Sequence, residues 1–224
     1  MPGDEYPRPL VTVDVVIFTL HEEALQVLLV RRKNPPYAGM WAIPGGFIEI
    51  DEPLETTALR ELEEETGVCD VHLEQLYTFG DPGRDRRGRV ITVAYLALLP
   101  ADRAAIRPGD DAAEARWWPM NALPPLAFDH DRILACARER LRSKLEYPAT
   151  LAALLPEPFT LNQLRATYET ILGEKLERIR FRRLMIAARV LREVGIEHRT
   201  VRGRPAKLYR FREDAEAKAR RILL

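Results

Sequence analysis

Runs of β-branched and apolar residues at 11–19 (VTVDVVIFT) and 25–31 (LQVLLVR), split by a polar turn containing His21, Glu22 and Glu23, predict a hairpin or an adjacent pair of strands. Further strands are expected at 71–78, at 89–98 and around Trp117. Among them lies one segment with the start and stop signals of a helix: Pro53 stands in its first turn, LETTALRELEEET carries it forward, and Gly67 ends it. Ala58, Leu59 and Leu62 form its apolar face. Strands flanking one interior helix predict a mixed α/β (α+β) layer fold with a mixed sheet.

A second helix is expected from Asp129, a suitable N-cap, to about Leu145. The pattern then breaks. Pro148, Pro156 and Pro158 fall close together and mark a boundary that divides the chain into 1–147 and 148–224. Beyond it, Thr160 and Gln163 form a capping box for a helix ending by Gly173, and another helix is read through LERIRFRRLMIAARVLREVG to Gly195. Two strand-like pieces follow around RGRP. Two helices joined by a short turn, then a basic hairpin, are the order of a small winged helix-turn-helix domain.

Residues 1–149 hold 17 Lys and Arg against 25 Asp and Glu, and residues 150–224 hold 17 against 9, so a formally neutral chain is acidic in front and basic behind. A basic domain usually meets a polyanion; a merely solvated basic surface is the plainer alternative. Cys69 and Cys136, far apart and outside any CxxC or Cys/His cluster, support neither a disulfide framework nor a zinc site. The N-terminus lacks the order of a signal peptide, and no apolar run approaches the roughly 20 residues of a membrane helix. The expectation is a cytoplasmic protein with no membrane partner.

The chemistry is concentrated in the first helix. Gly46, five residues, Glu52, seven residues, then RELEEETGV from Arg60 to Val68 is the pattern. At about 100° per residue, Glu61, Glu64 and Glu65 fall within an arc of roughly 100°, while Glu63 points away. Like charges at these spacings repel by a few tenths of a kcal/mol each. A hard cation, Mg²⁺ or Mn²⁺, would relieve that repulsion and bridge the carboxylates to diphosphate oxygens. A solvated acidic face is the plainer reading, but it leaves Gly46, Glu52, Arg60 and Gly67 as coincidences. Arg60 can pair with Glu52 or Glu64 and hold the loop to the helix, and Pro44-Gly45-Gly46 lets backbone approach a cation.

This spacing fills every fixed position of the Nudix box, and the first two-thirds of the chain resembles the Nudix hydrolases. The resemblance implies Glu61, Glu64 and Glu65 as metal ligands with the Gly46 carbonyl as a further one, Arg60 in the catalytic helix, and attack of metal-activated water on a diphosphate linked to a nucleoside. Asp110, Asp111 and Glu114 are the candidates for general base, and the sequence does not choose among them. The stretch 73–98 resembles the ADP-ribose branch of the family. Its loop holds Arg84, Arg86, Arg87 and Arg89, either a cradle for phosphates and a ribose or a solvated turn. Arg31 and Arg32 end a strand facing the same region, and Trp41, Tyr77 and Phe79 are placed either to stack on a purine or to fill the core.

From residue 150 the chain resembles the C-terminal winged helix of the Nudix-related transcriptional regulators of NAD metabolism. TVDVVIFTL, GDPGRDRRGR, LAFDH at 126–130, FTLNQLRATYETILG at 159–173 and GRPAKLYRF at 203–211 carry the resemblance. It implies an ADP-ribose-sensing Nudix domain fused to a domain for double-stranded DNA, in a homodimer reading a palindrome. Arg178, Arg180, Arg182 and Arg183 would open the recognition helix, and Arg202, Arg204 and Lys207 on the wing would neutralise phosphates. Packing of the basic helix on the acidic front is the alternative. The chain departs from these regulators in two ways. They carry RNFRR where it has Arg178-Ile179-Arg180-Phe181-Arg182-Arg183, and many have eroded boxes where its own is complete. The resemblance implies an ADP-ribose-responsive repressor of NAD biosynthesis or salvage genes, or alternatively a Mg²⁺-dependent hydrolase cleaving ADP-ribose to AMP and ribose 5-phosphate.

Overall fold

A computed structural model of the chain describes residues 8–21, 24–106, 112–145, 147–197, 205–213 and 215. The chain divides into two compact units, the first made of Met1–Phe18, Gln26–Ala97 and Ala104–Arg138, the second of Thr19–Leu25, Leu98–Arg103 and Glu139–Leu224.

The elements up to α2 run in the order β1 (Leu10–His21), β2 (Ala24–Arg32), β3 (Trp41–Ala42), β4 (Gly45–Phe47), α1 (Leu54–Thr66), β5 (Glu74–Phe79), β6 (Val90–Leu98), a 3-10 turn (Ala101–Arg103), β7 (Ala112–Pro119) and α2 (His130–Ser143). Seven strands form one sheet in the order β3-β2-β1-β6-β5, with β4 added to β1 and β7 added to β2. Residues 12–19 of β1 are buried without alternation. A central strand covered on both faces needs a continuous apolar run, which is why VTVDVVIFT shows no period of two. Helix α1 buries Thr57, Ala58, Leu62 and Thr66 along one face and packs on β4 and β7. Gly67 closes it in the left-handed region (φ 69°), its N–H donating to the Glu63 carbonyl at 2.8 Å.

Asp129 does not spend its carboxylate on capping α2. It accepts two bonds from the Arg84 guanidinium, at 2.7 and 3.1 Å, and that guanidinium is only 4% exposed. A buried cation without a partner costs far more than an uncapped helix end, so the ion pair takes the side chain.

The second unit contains α3 (Pro148–Ala152), β8 (Phe159–Thr160), α4 (Leu161–Leu172), α5 (Arg178–Ala188), β9 (Leu191–Glu197) and β10 (Ala206–Phe211). Its three strands pair in the order β8-β10-β9. Phe159, Leu164, Tyr168, Ile171, Phe181 and Met185 fill the core, where Tyr168 meets Phe181 edge-on at 5.4 Å and Phe159 meets Phe211 at 5.0 Å. The capping box of α4 is closed in both directions: Thr160 Oγ1 accepts from the Gln163 N–H at 3.2 Å, and Gln163 Oε1 accepts from the Thr160 N–H at 2.7 Å. At its other end Arg142 donates to the Ile171 and Leu172 carbonyls at 3.1 and 3.4 Å, and Gly173 is left-handed (φ 78°).

The helix expected to reach Gly195 stops at Ala188. Arg189 turns into the left-handed region (φ 54°), and Leu191–Glu197 is strand β9, paired with β10 from Phe211↔Leu191 to Ala206↔Glu197. The β-branched Val190, Val194 and Ile196 favour extended backbone, and the ladder to β10 outweighs the helical continuation expected through Val190, Leu191 and Val194. Arg202, Gly203 and Arg204 of the RGRP segment lie outside the described residues. Thr160→Ala is expected to destabilise the chain by about 1 kcal/mol through loss of the reciprocal cap, measured by chemical denaturation.

Candidate functional site

Arg60 is the hub of the box helix. Its Nη2 lies 3.0 Å from Glu52 Oε2, and its Nη1 lies 2.9 Å from Glu61 Oε1 and 3.1 Å from Glu64 Oε2. The hydrogen bonds it donates to Glu52, before those to Glu61, hold the guanidinium firmly protonated. Glu65 turns toward β4, where its Oε2 accepts from the Gly45 N–H at 3.0 Å. Burial pushes the Glu65 carboxyl up to about 8 and raises that of Glu61, in the latter against the opposing pull of Arg60. Glu63 is exposed.

Gly45 and Gly46 make this approach possible. A Cβ on Gly45 (φ 154°) would collide with the Val13 carbonyl, and one on Gly46 would collide with the Glu61 carboxylate. Among the described residues, no three carboxylate, imidazole or thiol groups are gathered closely enough to form a ready ion cage. The donor set nonetheless fits a hard divalent cation: Glu61 and Glu64 converge on one guanidinium nitrogen, and Glu65 and Glu61 lie against bare glycine backbone. Two carboxyls disfavoured as anions by burial are the groups that a bound cation would ionise.

Beside this cluster is a cleft of about 160 Å³, lined by residues of β1 and β4 and by Arg32, Arg84, Arg87, Phe128 and His130. Arg32 lies over the Phe128 ring at 4.9 Å, while Arg87 lies over Phe47 at 4.8 Å and Phe128 at 5.6 Å. Phe128 (φ 53°) and Tyr37 (φ 65°) both hold left-handed backbone and meet edge-on at 4.8 Å, so the central aromatic wall is rigidly backed. Burial lowers the Arg32 pKa, and the neighbouring Arg87 lowers it further. Two guanidinium groups facing one ring repel, and an anion such as a diphosphate would relieve both. Arg87 is also held by Asp85 at 2.6 Å.

The floor of the cleft is polar. Asp14 is 6% exposed, accepts from Thr92 Oγ1 at 2.6 Å, and lies 3.5 Å from His130 Nε2. His130 Nδ1 accepts from the Ile43 N–H at 2.9 Å, which places the ring proton of the neutral form on Nε2, facing Asp14. Burial, more than the opposing pull of Asp14, lowers the His130 pKa.

The arginines expected around a ligand are therefore sorted by the fold. Arg32, Arg84 and Arg87 line the cleft, although Arg84 is committed to Asp129. Arg31, its neighbour on β2, projects elsewhere, with Nε on the Gly39 carbonyl at 3.1 Å and Nη1 4.0 Å from Glu114. Arg86 lies over Tyr37 at 5.2 Å, and Arg89 donates to the Gly80 carbonyl. Trp41 packs on Trp118 at 5.2 Å and Phe79 on Tyr77 at 5.4 Å, away from the cleft lining. Of the general-base candidates, Glu114 stands on β7 opposite Arg31, and Asp110 and Asp111 lie outside the described residues. Sequence reasoning passed over Asp14, Phe47, Phe128 and His130. A lone carboxylate within VTVDVVIFT was the available signal, since a buried charge in an apolar strand needs a reason.

In the second unit, Arg178, Arg180, Arg182 and Arg183 are all exposed on α5, while Phe181 and Met185 turn inward. Glu177 caps this helix, accepting from the Ile179 and Arg180 N–H groups at 2.8 and 2.6 Å. Lys207 is exposed on β10 and pairs with Glu193 at 2.7 Å, and Arg202 and Arg204 lie outside the described residues.

A box helix beside an arginine-walled cleft on this sheet, followed by a helix-turn-helix and hairpin, defines a Nudix-domain protein with an appended winged helix. The NUDIX domain family matches residues 8–136, and the NrtR DNA-binding winged helix domain matches 151–211. The ADPR responsive transcriptional repressor NtrR of Acinetobacter baylyi is 41% identical over 92% of this chain and 84% of its own. The crystal structure of Shewanella oneidensis NrtR complexed with a 27mer DNA is 42% identical with a TM-score of 0.76, covering 93% of this chain and 96% of that one. The NUDIX domain of the same Shewanella protein, complexed with ADP ribose, is 43% identical with a TM-score of 0.57 over 62% of this chain and 94% of that one. The chain belongs to the NrtR family of Nudix-related transcriptional regulators. Among its described residues, no helix is long and apolar enough to cross a membrane.

The buried histidine carries a pH dependence. Its pKa in the folded chain lies below the 6.5 of the free group, so the unfolded chain takes up the proton preferentially. Its contribution is complete above pH 6.5 and is lost as pH falls from there toward the folded value. Between pH 7.5 and 5.5 the wild type should lose up to about 1.4 kcal/mol per pH unit relative to His130→Asn, measured by denaturation at each pH.

Proposed function

We propose that this protein is an ADP-ribose-responsive, DNA-binding repressor of NAD biosynthesis or salvage genes, working as a homodimer. Residues 1–147 bind the nucleotide and 148–224 bind the duplex. The observation that carries the reading is the pairing, in one chain of this family, of an anion-seeking cleft around Arg32, Arg87 and Phe128 with a helix that exposes four arginines. Arg32 and Arg87 would bind the diphosphate, Phe128 would take a flat ring or the ribose face, and Asp14 would accept from a sugar hydroxyl. Arg182 and its neighbours on α5 would enter a major groove, with Lys207, Arg202 and Arg204 on phosphates. ADP-ribose changes DNA affinity only by binding one arrangement of the dimer better than another, and for a repressor released by ADP-ribose the favoured arrangement is the one that binds DNA poorly. This reading makes the protein cytoplasmic.

The test is titration of a duplex enriched from a random library by the wild-type chain, with and without ADP-ribose. Salt-sensitive binding that weakens with ADP-ribose is expected. Arg182→Ala should weaken binding to the enriched duplex by about tenfold or more, and Lys207→Ala should reduce the slope of log affinity against log salt by about 1. Absence of salt-sensitive duplex binding by the wild type would overturn the reading.

The complete box favours a second activity on the same site, hydrolysis of ADP-ribose to AMP and ribose 5-phosphate. Glu61, Glu64 and Glu65, with the Gly46 carbonyl, would hold Mg²⁺ or Mn²⁺, which supplies charge against the diphosphate and acidifies a bound water. Arg60 keeps Glu61 and Glu64 together, and Gly45 aims Glu65 through its N–H. Glu65→Gln should reduce AMP release on the order of a hundredfold or more, and unchanged turnover would remove Glu65 from the ligand set.

A further inference from the structure

The second unit contains a charge that its core does not need. Glu169, in the last turn of α4, has a side chain only 7% exposed and is the sole acidic residue among the buried residues described in that unit. Its Oε1 accepts from the backbone N–H of Leu176 at 2.9 Å, and its Oε2 lies 3.3 Å from Lys175 Nζ. Arg165, one turn earlier on the same helix, donates Nη1 to Glu169 Oε1 and to the Leu176 carbonyl, the latter at 3.2 Å. Two side chains of α4 thus grip both backbone groups of a single turn residue. Leu176 immediately precedes Glu177, the cap of α5, so one residue separates this grip from the first bonds of the arginine-bearing helix.

The apolar contacts between the two helices do not do the same work. Tyr168 against Phe181 holds α5 to α4, but dispersion contacts are weakly directional and set its orientation less sharply than hydrogen bonds do. Charge-assisted hydrogen bonds are directional. A buried carboxylate is costly, and its best-attested use is to select one arrangement among several that an apolar core would accept.

We propose that Glu169 and Arg165 are positioning residues for α5: by fixing Leu176 they set the direction in which Arg178, Arg180, Arg182 and Arg183 are presented, and so govern sequence discrimination more than overall attraction to DNA. The inference rests on the DNA-binding reading above. Long arginine side chains reach phosphates from many helix orientations, whereas base edges accept few.

The experiment measures affinity of the full chain for the duplex enriched by the wild type and for calf-thymus DNA, well below the unfolding temperature. Glu169→Ala should lose about tenfold or more on the enriched duplex and less than about twofold on calf-thymus DNA, with the salt slope unchanged. Glu169→Gln keeps an acceptor for the Leu176 N–H and should recover a large part of the lost discrimination. Equal losses on both DNAs, or no loss on either, overturn the proposal. Should Glu169→Ala fail to fold, Arg165→Met carries the test: a three- to fivefold fall in the ratio of the two affinities is expected, and an unchanged ratio overturns it. A wild type that enriches no duplex removes the DNA-binding reading and this inference together, whereas an unchanged ratio on a wild-type duplex removes the inference alone.

Discussion

The site depends on one close approach, that of the Gly45-Gly46 backbone to β1 on one side and to the box helix on the other. A side chain at Gly45 would strike the Val13 carbonyl, and one at Gly46 would occupy the space of the Glu61 carboxylate. With both absent, β4 adds to β1 and places an N–H on Glu65, so the acidic edge of α1 lies beside the cleft rather than in bulk water. That narrow separation removes water from the Glu61 and Glu65 carboxyls and raises their pKa values, which would favour a cation beside them.

Around this contact, charges are distributed in opposed sets. Carboxyls at Glu52, Glu61 and Glu64 share the Arg60 guanidinium and Glu65 turns away to the Gly45 N–H, while guanidiniums at Arg32 and Arg87 share aromatic faces with only partial neutralisation by Asp85. The first set is short of positive charge, and the second repels itself. A diphosphate with a divalent cation would supply both deficits, which is a stronger argument for that ligand class than cleft shape. Arg84 shows the contrast: fully paired with Asp129 and nearly inaccessible, it anchors the loop that carries Arg87.

The second unit solves a different problem, that of offering a rigid basic surface. Its α4 is closed at both ends, by a reciprocal box at Thr160 and by Gly173 with Arg142, and α5 is capped by Glu177. Helices whose ends are satisfied fray little, so the exposed arginines of α5 stand on a stiff support. Discrimination among DNA sequences demands such stiffness, since a helix loose by an ångström or two keeps its phosphate contacts and loses its base contacts.

What the sequence determined by itself is local. The box helix with its stop at Gly67, the Thr160–Gln163 box, the stop at Gly173 and the exposure of Arg178, Arg180, Arg182 and Arg183 were legible, because caps act within four residues and an amphipathic period repeats every turn. Tertiary structure decided whatever required partners distant in the chain. Ile43 meets His130 across 87 residues, Thr92 meets Asp14 across 78, and Arg84 meets Asp129 across 45, taking that carboxylate from the cap its position suggested. Pairing with β10 likewise converted 191–197 from an expected helix into a strand. The choice of Arg32 over Arg31 for the cleft belongs to the same class. Adjacent strand residues face opposite sides, and which side becomes a pocket is settled only when a loop and a helix from elsewhere close over it.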